Sequence, residues 1–141
     1  MLVSDVMNKS VVVVKKDATI KEASDAMSKM GIGSLVVAEN SKLVGMITNN
    51  DIVKSVAQEK SPQSTLVEEI MKSDVMSISP DKTIEDAVDI MVQHKLRELP
   101  VIENDKIKGI ISVSDIAIVE PKLISSIANL LSMQFPGYHG G

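Results

Sequence analysis

The chain has 141 residues, 44% of them apolar, yet it contains a single Phe (Phe135), a single Tyr (Tyr138), no Trp and no Cys. The missing Cys excludes disulfides, thiolate zinc sites and thiol nucleophiles, and the scarcity of aromatics removes the platforms on which bases stack. A net charge of −4 with scattered Lys and Arg disfavours a nucleic-acid footprint. No run approaches the roughly 18 apolar residues of a membrane span, and Met1-Leu2-Val3-Ser4-Asp5 does not open a signal peptide, so a soluble cytoplasmic protein is expected.

In chain order, Val11 to Val14 reads as a strand. Thr19-Ile20-Lys21-Glu22 then places a hydroxyl three residues before an acid, the capping-box spacing that opens a helix, and Ile20, Ala23, Met27 and Met30 follow at helical spacing. Leu35 to Ala38 and Leu43 to Ile47 are apolar runs joined by the hairpin turn Glu39-Asn40-Ser41-Lys42. Their continuous rather than alternating apolar character predicts sheets covered on both faces. A second helix starts near Asp51, and Glu59 to Ser64 is a polar, Pro-containing linker.

Beyond the linker the pattern begins again. Val75 to Ile78 is a strand closed by Ser79-Pro80. Thr83-Ile84-Glu85-Asp86 opens a helix bearing Ile84, Ala87, Val88 and Met91. Leu99 to Ile102, the turn Glu103-Asn104-Asp105-Lys106, and Ile107 to Ile111 form a hairpin, and a helix starts near Asp115. Pro121 opens a last helix with Leu123, Ile124, Ile127, Leu130 and Leu131 on one stripe, stopped by Pro136-Gly137. That stripe reads either as an end cap or as a partner surface.

The recurrence is a true repeat. Gly45-Met46-Ile47-Thr48-Asn49-Asn50-Asp51-Ile52 returns as Gly109-Ile110-Ile111-Ser112-Val113-Ser114-Asp115-Ile116, an offset of 64 positions that also relates Val3 to Val67 and Met7 to Met71. The expected organisation is α/β (α+β): a β-α-β-β-α repeat at 1–58, a linker at 59–66, a second repeat at 67–120, and a C-terminal helix and tail at 121–141. A unit of roughly 60 residues buries only about 60% of its unfolded surface, so the halves are expected to pack together, and any site should come as a pair.

Gly-x-x-Thr/Ser-x-x-Asp can be read in two ways. A strand ending at a hydroxyl before a helix offers free N–H groups and a positive dipole end that suit phosphate, with Thr48 or Ser112 adding a hydroxyl and Asp51 or Asp115 placed to accept from ribose hydroxyls. Gly45 and Gly109 would then let a ligand lie against the backbone. The same spacing is also a capping box that stabilises a helix with no ligand at all. His94 and His139 lack ligand spacing, so no metal is expected. The nine Met fall mainly on core stripes, and no nucleophile stands beside a base.

The tandem β-α-β-β-α order, Gly-hydrophobic-hydrophobic-Thr/Ser-x-x-Asp-Ile, and Leu99-Pro100-Val101-Ile102 with its counterpart Leu35-Val36-Val37-Ala38 resemble a pair of CBS (cystathionine-β-synthase) domains, the Bateman module, over residues 1 to 118. The resemblance implies two repeats packed with pseudo-twofold symmetry that bind an adenosine-containing ligand (AMP, ADP, ATP, S-adenosylmethionine or NAD) in clefts between them. It assigns phosphate to Thr48 and Ser112 and ribose to Asp51 and Asp115. Adenine is assigned to first-strand residues such as Val11, Val12, Val13, Val75, Met76 and Ser77 and to Leu35 or Leu99, with Thr19, Ile20, Thr83 and Ile84 nearby.

Two departures from the family pattern matter. Many members carry Arg just before the ribose Asp, where this chain has Asn50 and Ser114, which makes triphosphate binding less assured. Strand entries differ as well: Gly31-Ile32-Gly33-Ser34 stands where the other copy has Lys95-Leu96-Arg97-Glu98. By the family's pattern Arg97, with Lys95, would serve the Asp51 site, and Gly33 and Ser34 the Asp115 site. The Asp51 site is therefore expected to favour phosphate more.

The expected function is that of a stand-alone regulatory module, not an enzyme, which acts as a homodimer and reports to an effector protein the sequence does not name. The dimer contacts are expected on the first helices and the C-terminal helix, with Ile124, Ile127 and Leu131 exposed. The alternatives are a structural or scaffolding pair of repeats whose boxes are only caps, and a single-stranded nucleic-acid binder, which the charge and missing aromatics disfavour.

Overall fold

The computed structural model describes residues 1–123 and Ala128. Its elements run α1 (Val3–Val6), β1 (Val13–Val14), α2 (Ile20–Met30), β2 (Ser34–Glu39), β3 (Lys42–Thr48), α3 (Asn49–Ala57), α4 (Val67–Ile70), α5 (Ile84–His94), β4 (Glu98–Glu103), β5 (Lys106–Ser112) and α6 (Val113–Val119), with a 3-10 turn at Pro121–Leu123. The helix expected across Ile124 to Leu131, and with it the expected dimer positions Ile124, Ile127 and Leu131, lies outside the described residues.

Local chemistry sets most boundaries. Thr19, Thr48, Thr83 and Ser112 each accept, on the side-chain oxygen, the N–H three residues on, so all four capping boxes form. Both hairpins turn on two residues in the left-handed region, Asn40 (φ 52) with Ser41 (φ 67) and Asn104 (φ 51) with Asp105 (φ 63), the type I′ geometry that matches strand twist. Antiparallel β2–β3 and β4–β5 carry equivalent bulges, at Val37/Ala38 and Val101/Ile102.

Two compact units result, one formed by residues 11–75 and the other by residues 1–10 together with the described residues from Met76 onward. The core of the first gathers Ile20, Ala23 and Met27 from α2 with Leu35, Val37, Ile47 and Val67. In the second, Ile84, Ala87, Val88 and Met91 from α5 meet Leu99, Val101, Ile111, Val113, Ile116 and Val3. The positions expected on the two first-helix stripes are buried except for Met30, which is 57% exposed.

These units do not coincide with the sequence repeats, because the opening turns are exchanged. Val67 of α4 donates its N–H to the Ala18 carbonyl at 2.7 Å, and Val3 of α1 makes the equivalent bond to the Lys82 carbonyl, also at 2.7 Å. Each turn therefore completes the unit built on the other repeat. The polar linker is held down as well: Lys21 N–H donates to the Pro62 carbonyl at 3.0 Å and Ile20 N–H to the Thr65 carbonyl at 2.9 Å.

The first strand is shorter than expected in both copies. Val11 to Val14 yields the two-residue β1, parallel to β2. Val75 to Ile78 forms no strand, only an isolated bridge from Ile78 to Val101. The cause sits on the neighbouring strand: Val36 N–H donates to the Val12 carbonyl at 3.3 Å, but the equivalent residue in the other copy is Pro100, which has no N–H to give.

The helix ends differ too. α2 closes on Gly31 in the left-handed region (φ 65), while α5 closes on Lys95 in the same conformation (φ 57). A side chain there is strained, so Lys95→Gly is expected to raise stability by about 1 kcal/mol. An unchanged denaturant midpoint would count against a strained cap at this position.

Candidate functional site

Both copies of Gly-x-x-Thr/Ser-x-x-Asp fold as a strand running into the first turn of a helix. In the 11–75 unit, Asp51 Oδ2 accepts from Thr48 N–H at 2.9 Å and from Thr48 Oγ1 at 3.1 Å, and Asp51 N–H donates back to Thr48 Oγ1 at 3.3 Å. In the other unit Asp115 Oδ2 accepts from Ser112 N–H at 3.3 Å, and Asp115 N–H donates to Ser112 Oγ at 3.2 Å. The capping function of the motif is thus realised in each copy. Asn50 and Ser114 project from the same first turns and are exposed.

Lys72, which sequence reasoning missed, distinguishes the two. Its Nζ donates to Asp51 Oδ1 at 2.9 Å, so both oxygens of a carboxylate that is only 6% exposed are engaged. Lys72 is delivered by paired backbone bonds with Met46, Lys72 N–H to the Met46 carbonyl at 2.9 Å and Met46 N–H to the Lys72 carbonyl at 2.8 Å. At the equivalent position of the other copy stands Asn8, which pairs with Ile110 through the same backbone bonds. The 64-residue offset aligns Lys72 with Asn8 and was the signal that could have found it.

The motif glycines serve the chain rather than a ligand. A Cβ on Gly45 would stand 2.7 Å from the Lys72 carbonyl oxygen and 2.7 Å from Met71 Sδ, and one on Gly109 would stand 2.8 Å from Met7 Sδ and 2.9 Å from the Asn8 carbonyl oxygen. The close approach expected of a ligand is made by the exchanged segments.

The other candidates sort by burial. Leu35 and Leu99 are 1% and 0% exposed and belong to the two cores, so neither presents a side-chain surface. Val12 is half-buried, Val13 and Met76 are 53% and 38% exposed, and Ser77 is exposed. Thr19 and Thr83 are helix caps. Arg97 is half-buried at the entry to β4, where its carbonyl accepts from Val113 N–H at 2.9 Å.

An open cavity of about 620 Å³ lies between the end of α2 and the start of α3, lined by Met27, Gly31, Ile32, Gly33, Asn49 and Ile52 among others; neither Thr48 nor Asp51 lines it. Among the described residues no group of three or more His, Asp or Glu could hold a metal ion, and no helix is long and apolar enough to cross a membrane.

The family model described as "CBS domain" matches residues 3–58 and again 67–121. The CBS domain-containing protein YhcV of Bacillus subtilis is 32% identical over 138 residues, spanning 97% of this chain and 98% of its own length. A homoserine O-acetyltransferase of Methanosarcina acetivorans is 38% identical over 118 residues, 82% of this chain but only 21% of that enzyme. Among solved structures, the CBS domain pair of protein MJ0100, in complex with methylthioadenosine and S-adenosyl-L-methionine, superimposes with a TM-score of 0.79 at 28% identity, covering 86% of this chain and 97% of that one. Two family matches in register with the sequence repeat, each carrying the same strand-to-helix motif, leave one conclusion: the chain belongs to the CBS domain family, as a tandem pair.

Proposed function

We propose that this chain is a non-enzymatic regulatory module of the cytoplasm that binds an adenosine-containing ligand, such as an adenine nucleotide, S-adenosylmethionine or NAD, through its two Thr/Ser-x-x-Asp half-sites. The observation that carries the reading is Asp51: a carboxylate held nearly out of water on the first turn of a helix, beside a Thr hydroxyl, in a fold shared with a pair that binds methylthioadenosine and S-adenosyl-L-methionine. Arg97 is assigned to phosphate, and exposed Val13, Met76 and Ser77 to the base. Occupancy would reach an effector protein through a change in packing.

A homodimer is part of this reading. Aliphatic side chains stand exposed on α3, Val53 at 64% and Val56 at 62%, and on α6, Ile118 at 79%. A monomeric mass by light scattering at tens of micromolar would remove the dimer.

The test of ligand binding is a thermal-shift and calorimetry panel with AMP, ADP, ATP, S-adenosylmethionine, NAD and a short oligonucleotide. A ligand at 100-fold its dissociation constant adds about 2.7 kcal/mol of stability. The double variant Asp51→Ala, Asp115→Ala is expected to lose that shift, while each substitution lowers the stability of the free protein by about 1 kcal/mol through the lost cap. Undiminished binding by the double variant would overturn the ribose assignment. The scaffolding reading is favoured by the closed capping boxes alone, and it predicts no shift with any member of the panel.

A further inference from the structure

The two half-sites differ in charge because of a residue outside the motif. Asp51 Oδ1 carries the Lys72 ammonium at 2.9 Å, and the Lys72 side chain is 59% exposed, so it faces the carboxylate on one side and water on the other. Asn8, the equivalent residue, is turned to its own backbone, its Oδ1 accepting from Ser10 N–H at 2.9 Å. Among the described residues no cation pairs with Asp115.

We infer that Lys72 sets the charge specificity of the Asp51 half-site, admitting adenosine ligands that carry a phosphate and disfavouring uncharged or cationic ones. This rests on the reading of Asp51 as the ribose acceptor. With Thr48 already on Oδ2, a ribose hydroxyl must approach Oδ1, where it shares the oxygen with the ammonium or displaces it. An uncharged nucleoside that displaces Lys72 breaks a charge-assisted bond and returns nothing to the ammonium but water. A phosphate on the same ligand offers the ammonium a new anion within the sweep of its flexible four-carbon stem, so the ion pair is exchanged rather than lost. A cationic ligand meets like charge in addition. Asn50 brings no cation to this first turn, so Lys72 is the cation that a ribose meets at Asp51 itself, in addition to the phosphate role assigned to Arg97, whereas the Asp115 half-site, with Asn8 in the place of Lys72, has no such filter.

The inference is tested by calorimetric titration of the full chain carrying Asp115→Ala, so that the Asp51 half-site is read alone, with AMP and with adenosine. AMP is expected to bind more tightly than adenosine. Lys72→Met is expected to reduce that preference about tenfold, the equivalent of one charge-assisted hydrogen bond, and Lys72→Arg to restore most of it. Circular dichroism melts of each variant show whether it is folded, and the Arg variant keeps the cation if the Met variant does not fold. A preference unchanged by Lys72→Met, or binding by the wild-type chain that vanishes in Asp115→Ala, overturns the inference and leaves the nucleotide reading standing. No binding of either compound to the wild-type chain overturns that reading, and the inference with it.

Discussion

Replacing Val3 with Asp is expected to unfold the unit built on the second repeat, although Val3 lies in the sequence of the first. Val3 is 0% exposed and sits in the cluster of Ile84, Leu99, Ile111 and Ile116, with its N–H on the Lys82 carbonyl. A carboxylate there has no cation in that cluster and no water, a penalty on the order of 4 kcal/mol, most of what a small domain has to lose. Native-state amide exchange locates the damage: protection should fall first across α5, β4 and β5, with α2, β2 and β3 retained longer. Val67→Asp should give the mirror image. Loss confined to residues 11–58 in the Val3 variant would show that the opening turns are not exchanged.

Gly45→Val should be nearly as damaging, for a steric reason. Its first added carbon would lie 2.7 Å from the Lys72 carbonyl oxygen, a backbone atom that cannot swing aside as a side chain does. Relief requires the Met71-Lys72 segment to lift, which breaks both backbone bonds to Met46 and withdraws the ammonium from Asp51. Overpacking of this kind destabilises by about 1–3 kcal/mol. Calorimetric melting should fall by several degrees in Gly45→Val and similarly in Gly109→Val, whose added carbon meets the Asn8 carbonyl. An unchanged transition in either variant would refute the contact described for it.

What could be read from the sequence was what short-range chemistry decides. The capping boxes at Thr19, Thr48, Thr83 and Ser112 and the Asn40-Ser41 and Asn104-Asp105 turns involve partners within a few residues, and they form where the pattern places them. The missing strand at Val75 to Ile78 depends on Pro100, a residue of the neighbouring strand, so its own apolar run carried no sign of it. α1 and α4 are single turns of four residues, too short for periodicity to register. Their exchange was invisible for a different reason: two repeats that match in register give the same pattern whichever copy each turn joins.

The candidate site divides along the same line. Thr48 with Asp51 and Ser112 with Asp115 were legible as local pairs. Lys72 comes from 21 residues away and reaches Asp51 through a backbone pairing that no local pattern announces. Leu35 and Leu99 turn their side chains into the two cores, which the sequence did not reveal because an apolar strand residue looks the same whether it faces a ligand or a core.

The exchanged turns also bear on how this chain is made. As it leaves the ribosome, residues 11–58 must wait for Val67 to Lys72 before their unit can close. By then Val3 has been in water for the whole interval, and its own partners from Ile78 to Ile116 follow later still. The turn at Val3–Val6 is thus buried later than the 11–75 unit that follows it in the chain, and residues 1–10 stay an accessible apolar handle until nearly all of the described chain has emerged.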